Sequence, residues 1–252
     1  RFFIGILSTL PNVTYYAAPY EITSRLWIIP GSLSVILFPA FSLLQGKNAY
    51  EHMNVIFRRS TKYFIIFIGL AVVIMAFFAQ DILRIWLGSD FAQKSTLVFQ
   101  VLLFSFLLNS LANIPYSLIH GIGRPDIMAK LYALELVVYL PFVFVMVKNW
   151  GINGAAISCT IRTALDMAVF FFAACKLNKI HMLDFFKGTL IKPILNLLVF
   201  VSLGYFIVRF SWRLYGFFLL TLSYLLLSWF LVLGRDEKEW LLIKIFKSKK
   251  FS

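Results

Sequence analysis

The chain has 252 residues, 61% hydrophobic and only 14% charged, with a formal net charge of +13. A soluble domain of this size carries about a quarter charged residues, so a water-soluble globular protein is excluded. The residues at 26–46, 63–80, 95–123 and 214–234 include no Asp, Glu, Lys or Arg. About 20 apolar residues cross a bilayer core of about 30 Å. These runs lack the strict alternation of a β-barrel strand. The fold class expected is an all-α polytopic membrane protein with about seven to eight transmembrane helices.

In chain order the expected spans are a partial one before Val13, then 22–45, 63–80, 97–119, 127–148, 152–175, 191–208 and 214–234. The chain opens on Arg1-Phe2-Phe3, without Met, inside an apolar stretch too short to cross alone. A piece of a longer protein lacking its N-terminal portion is therefore expected. Residues 14–21 read as a connection, and 81–96 as a short interfacial helix with Trp86 as its anchor. Three parts follow: a bundle over 1–188, two further spans over 189–234, and a basic cytoplasmic tail over 235–252. That tail reads either as an amphipathic helix on an anionic leaflet or as a solvated basic segment.

Alternate connections differ in charge. Residues 46–62, 120–130, 176–192 and 235–252 hold sixteen Lys and Arg, against five in 81–96, 148–151 and 209–213. The positive-inside rule makes the first set cytoplasmic, with a cytoplasmic C-terminus and residues 14–21 outside. The basic excess thus has a membrane explanation and implies no nucleic-acid partner. With no sizeable soluble domain, function must lie in the spans and their short connections.

Three ionisable residues interrupt the apolar spans: Glu135, Arg162 and Asp166. Such groups are costly in hydrocarbon and usually face a bundle interior or wet cavity, often on a substrate or ion path. Arg162 and Asp166 are four apart and share a helix face. Folding the 127–175 hairpin about Asn149 and Trp150 sets Glu135 opposite Ala164, so an Arg bracketed by two carboxylates is expected. This is either a structural ion-pair triad or a site where Arg162 meets an anionic substrate while Glu135 or Asp166 exchanges H⁺ or Na⁺. Arg25, placed near the outer end of its span, either snorkels to the interface or binds an anion in a cavity. A guanidinium suits phosphate through its planar fork of donors. Asn109 and Asn113, one turn apart, form a polar stripe. Pro30, Pro39, Pro115 and Pro141 are candidate kinks.

No catalytic motif and no metal-ligand spacing is present. His52, His120 and His181 are scattered, while Cys159 and Cys175 read as packing residues within one span. Gly121-Ile122-Gly123-Arg124-Pro125-Asp126 lacks the preceding strand and third Gly of a nucleotide fingerprint.

The stretches RFFIGILST, YYAAPYEITSRL, LFPAFS, ILRIWLGSDFA, GIGRPDIMAKLYALE and GINGAAISCTIRTALD occur in that order over roughly residues 1–175. Together they resemble the C-terminal half of polysaccharide (O-antigen, Wzx-type) flippases of the multidrug/oligosaccharidyl-lipid/polysaccharide exporter superfamily. The resemblance implies a transporter of 12–14 spans in two bundles, in a bacterial or archaeal cell membrane. It moves polyprenyl-pyrophosphate-linked oligosaccharide between leaflets and is no enzyme. Its partners would be membrane lipids and polysaccharide polymerase or assembly proteins. By position, the resemblance makes Arg25 and Arg162 the candidates for the pyrophosphate, and no cofactor beyond a coupling H⁺ or Na⁺ is implied. A drug/cation antiporter of the same superfamily and a membrane-embedded polyprenyl-dependent glycosyltransferase or polymerase are the alternatives.

Overall fold

The computed structural model describes residues 2–7, 10–209, 212–234 and 237–239. Among these residues the structure is almost wholly helical and has no strand. Six helical runs are long and apolar enough to cross a membrane. Two compact units emerge, Arg1–Phe185 and Phe186–Ser252. Of the expected basic tail only residues 237–239 are described, so its amphipathic or solvated character lies outside the described residues.

The first unit contains α1 (Phe2–Leu7), α2 (Leu10–Arg25), α3 (Ile28–Gly46), α4 (Tyr50–Phe77), α5 (Ala79–Leu87), α6 (Ser89–Gly121), α7 (Pro125–Leu177) and α8 (Met182–Phe185). Helix α6 is its axis and packs against α2, α3, α4, α5 and α7. Lipid is as apolar as Leu, so close packing and interhelical hydrogen bonds hold such a bundle, rather than expulsion of water. Accordingly α6 buries small residues, Ser105, Ser110, Ala112, Ser117 and Gly121, among its Leu and Phe. Large side chains such as Ile28, Val35, Phe67 and Leu134 stay exposed. At Gly121 an added Cβ would stand 2.7 Å from Phe41 Cβ and 3.1 Å from the Ser42 backbone nitrogen. Glycine is what lets α3 and α6 meet there.

Helices α2 and α3 form one apolar run, Pro11–Gly46, broken at Leu26 and Trp27. The cause is Pro30. It has no N–H for the Leu26 carbonyl and its ring crowds that oxygen; Ile29 supplies the donor instead, at 3.1 Å. Tyr15 meets Asp90, Phe38 meets His120 and Phe41 meets Gly121. Both numbers rise together, so the run lies parallel to α6.

This arrangement corrects four expectations. Residues 14–21 are not a connection but part of α2. Their Tyr, Thr and Glu lower the local hydropathy, yet Tyr15 pairs with Asp90 and Lys94 at the start of α6. Arg25 stands beside the break, midway along a 36-residue run, rather than near one end. The 46–62 loop shrinks to Lys47, Asn48 and Ala49, because α4 begins at Tyr50 and carries Arg58, Arg59 and Lys62 on helix. The expected 81–96 helix ends at Leu87. Gly88, at φ 89°, turns the chain, and Ser89 opens α6.

Helix α7 is a hairpin. Gly151 adopts φ 56° and ψ −133°, a conformation essentially reserved for glycine. An added Cβ on Gly154 would fall 2.0 Å from the Met146 carbonyl oxygen. Beside this tip, Val143 and Val147 of one limb join Ala155 and Ala156 of the other in a cluster with Ile4, Tyr16, Val98 and Leu102.

The second unit holds a π-helical turn (Phe186–Leu190), α9 (Ile191–Ile207) and α10 (Arg213–Leu227), which ends in another π-helical turn (Ser228–Val232). Asn196 Nδ2 donates to Ser228 Oγ at 2.7 Å. The Phe200 and Tyr224 rings pack 5.2 Å apart, edge to face. Asn196 therefore links α9 to the end of α10 within the apolar pair.

Gly121→Ala is expected to destabilise the purified protein by about 1–3 kcal/mol, because α3 must move away from α6. Gly31→Ala, with nothing within 4 Å of the new Cβ, should leave stability essentially unchanged. Thermal melting in one detergent checks both, and equal melting temperatures for the two variants would contradict the α3–α6 contact.

Candidate functional site

Glu135 lies on the first limb of α7, and Arg162 and Asp166 lie one turn apart on the second. The hairpin brings them together. Arg162 Nε pairs with Glu135 Oε1 and stands 4.0 Å from Asp166 Oδ2. The guanidinium also lies over the Tyr139 ring, 5.3 Å from its centroid. Tyr139 follows Glu135 by one turn, so the first limb presents carboxylate and aromatic face on one side. Asp166 is buried, with its side chain 9% exposed, whereas Arg162 keeps 40% exposure.

Depth follows from helix rise. Arg162 is eleven residues past Gly151, about 16 Å along the helix at about 1.5 Å per residue, in a limb that continues to Leu177. The triad thus sits near the middle of its span. Two carboxylates against one guanidinium leave one negative charge in excess when both are ionised.

Hydroxyls fix the second limb against α6. Ser105 and Thr163 hydroxyls are 3.1 Å apart, and Thr160 Oγ1 donates to the Val101 carbonyl at 3.2 Å. Thr160 and Thr163 bracket Arg162 in sequence, so its direction is set by these contacts. Sequence reasoning missed them, as it missed Tyr139. The aromatic partner had a signal in its i, i+4 spacing from Glu135, while the hydroxyl contacts need the α6 register.

Arg162 borders two cavities. One, of about 320 Å³, is an apolar groove between the limbs of α7, walled by Leu134, Val138, Ile161 and Leu165 with the triad at its base. The other, of about 120 Å³, lies beside the α2–α3 break and is lined by Tyr20, Ser24, Trp27, Ser105, Asn109 and Arg162, among others. Asn109 therefore shares a pocket with Arg162. Asn113 instead donates to Asn109, to its carbonyl at 3.0 Å and to its Oδ1 at 3.2 Å. Arg25 is exposed and lines neither of these cavities.

Among the described residues no group of three His, Cys, Asp or Glu could hold a metal ion. His120 packs its ring on Tyr116, 4.8 Å between centroids. Cys159 and Cys175 are free thiols.

No family model matches the chain, and no solved structure matches it. Three curated proteins are similar. One, named as an O-antigen transporter in Shigella flexneri, is 34% identical over 167 residues, 66% of this chain and 39% of that protein. An uncharacterized membrane protein of Methanocaldococcus jannaschii is 26% identical over 127 residues, 50% of this chain and 25% of the relative. A protein of Haloferax volcanii, named as the low-salt glycan biosynthesis flippase Agl15, is 24% identical over 166 residues, 66% and 34% of the two chains. The matches thus span well under half the length of each relative. The resemblance expected from the sequence is borne out to this extent: this polytopic membrane protein is similar in sequence to proteins named as an O-antigen transporter and as a glycan biosynthesis flippase.

Proposed function

We propose that the protein moves a polyprenyl-diphosphate-linked oligosaccharide from the cytoplasmic to the outer leaflet of a bacterial or archaeal cell membrane by alternating access. It would supply the polymerases or assembly proteins that build a surface polysaccharide. The observation that carries the reading is Arg162. It is a partly exposed guanidinium near the middle of a membrane span, facing a polar pocket on one side and an apolar groove on the other. The names of the relatives, O-antigen transporter and glycan flippase, support the same substrate class.

The physical need is specific. A diphosphate-linked sugar cannot cross hydrocarbon unaided, while its polyprenyl tail is at home there. A guanidinium offers the diphosphate bidentate, charge-assisted hydrogen bonds. When the diphosphate takes Arg162, Glu135 and Asp166 lose their counter-charge and take up H⁺ or Na⁺. Release of the lipid restores the triad. Ligand binding shifts a conformational equilibrium only through differential affinity, and this exchange of partners supplies one. In this scheme Asn109 contributes to the head-group pocket and Asn113 orients it. Arg25, at the mid-depth break, adds positive potential without lining the cavities. Basic residues on the α3–α4 and α6–α7 turns support a cytoplasmic location for that end of the first unit.

Arg162→Ala is expected to lower export at least tenfold at matched protein level, with the lipid-linked intermediate accumulating in the inner leaflet. Normal surface glycan in that strain would contradict the proposal. Glu135→Gln alone leaves the guanidinium short of a partner in hydrocarbon, so breaking the pair costs about 3–5 kcal/mol. The Glu135→Gln/Arg162→Gln double should be less unstable than the sum of its singles. Additive losses in a double-mutant cycle would dissolve the pair.

A further inference from the structure

Trp27 stands in an unusual place. Tryptophan in membrane proteins gathers at the two interfaces, where its indole N–H reaches water or headgroups. Trp86, beside the Gly88 turn, and Trp150, at the α7 hairpin tip, fit that pattern. Trp27 does not. It sits at the α2–α3 break, whose register with α6 sets it level with Ser105 and Asn109, and those residues share its pocket. Its side chain remains exposed, with 48% of the residue accessible, and no described residue accepts a hydrogen bond from its indole N–H.

The same pocket joins several complementary groups. Tyr20 comes from α2, Trp27 from the α2–α3 break, Asn109 from α6, and Arg162 from the second limb of α7. Asn109 Oδ1 accepts from Asn113, which leaves the Asn109 Nδ2 donors for a ligand. The other hydroxyls are occupied locally: Ser24 donates to the Glu21 carbonyl at 2.9 Å and Thr163 bonds within its helix and to Ser105. The available groups are thus an indole face with its N–H, an amide and a guanidinium.

From this juxtaposition we infer that the pocket at the α2–α3 break is a sugar subsite, with Trp27 as the stacking surface for the ring attached to the diphosphate. The inference rests on the proposed flippase activity and names where the glycan is read. A sugar ring has one face of aliphatic C–H groups, which packs on the negative face of an aromatic ring. Its equatorial hydroxyls need fixed polar partners at the rim, and Trp27 Nε1 and Asn109 Nδ2 provide two. Arg162 in the same wall takes the adjoining phosphate. At about 120 Å³ the pocket is far below the roughly 300 Å³ of a drug-sized site, so it takes one ring and leaves the rest of the oligosaccharide outside.

The test uses the full-length protein in liposomes with two probes: polyprenyl-diphosphate oligosaccharide extracted from the source cell, and the same polyprenyl diphosphate stripped of sugar. Wild type should bind the glycosylated lipid more tightly and flip it. Trp27→Ala should weaken binding of the glycosylated lipid about five- to tenfold while leaving the bare diphosphate within about twofold, the scale of one lost aromatic contact. Trp27→Phe should restore most of the preference, and Asn109→Leu should reduce it from a second helix. A Trp27→Ala variant that keeps the full preference for the glycosylated lipid, in protein that still flips, would overturn the sugar subsite alone. Wild-type protein that flips neither lipid would overturn the flippase reading and the subsite with it. Equal weakening for both probes would make Trp27 a structural element and also overturn the subsite.

Discussion

The ion pair between Glu135 and Arg162, closed by Asp166, is the constraint on which the rest of the first unit depends. A charge in hydrocarbon is tolerable only when it is paired and fixed, so the two limbs of α7 have to fold back in one register. Gly151 supplies the turn and Gly154 the close approach behind it. Thr160 and Thr163 then pin the second limb to α6 through hydroxyl contacts rather than apolar packing. Held in this way, Arg162 cannot simply retreat to a membrane surface, and it looks into both cavities at once.

The α2–α3 break is the second constraint. One missing N–H at Pro30 diverts the hydrogen bonds of Leu26 and Ile29 and sets Trp27 beside α6 at the depth of the triad. Flanking segments can then remain apolar and face lipid, as the exposed Ile28, Val35 and Ile36 do. A helix broken in mid-span and a paired Arg at the same depth make a polar zone within an otherwise apolar bundle. That is the minimum that the charged, hydrated head group of the proposed cargo needs.

The helical membrane fold and the triad were legible in the sequence because each leaves a strong local mark. Long uncharged runs have few readings, and Glu135, Arg162 and Asp166 stand out within them. Hairpin geometry alone predicted that Glu135 would lie opposite the Arg162–Asp166 turn. The α2 helix was not legible. Its Thr14, Tyr15 and Glu21 look like a connection until α6 supplies Asp90 and Lys94 as partners. Arg25 was misplaced for the same reason, since its depth depends on where that helix begins. The basic residues Arg58, Arg59 and Lys62 read as loop because charge marks the membrane boundary and not the end of a helix. Trp27 carried no signal beyond an aromatic beside Pro30; only register with α6 gives it a depth.

The exchange of Arg162 between its carboxylates and the diphosphate is the central claim, and proton or sodium linkage tests it most directly. Calorimetric titration of full-length protein with the glycosylated polyprenyl diphosphate, repeated in buffers of different ionisation enthalpy and at several sodium concentrations, counts the ions taken up on binding. The account predicts close to one H⁺ or Na⁺ taken up per lipid bound by wild type, and markedly less in Asp166→Asn. Tight binding by wild type with no ion uptake in any buffer would show that the triad stays closed, and would contradict the exchange.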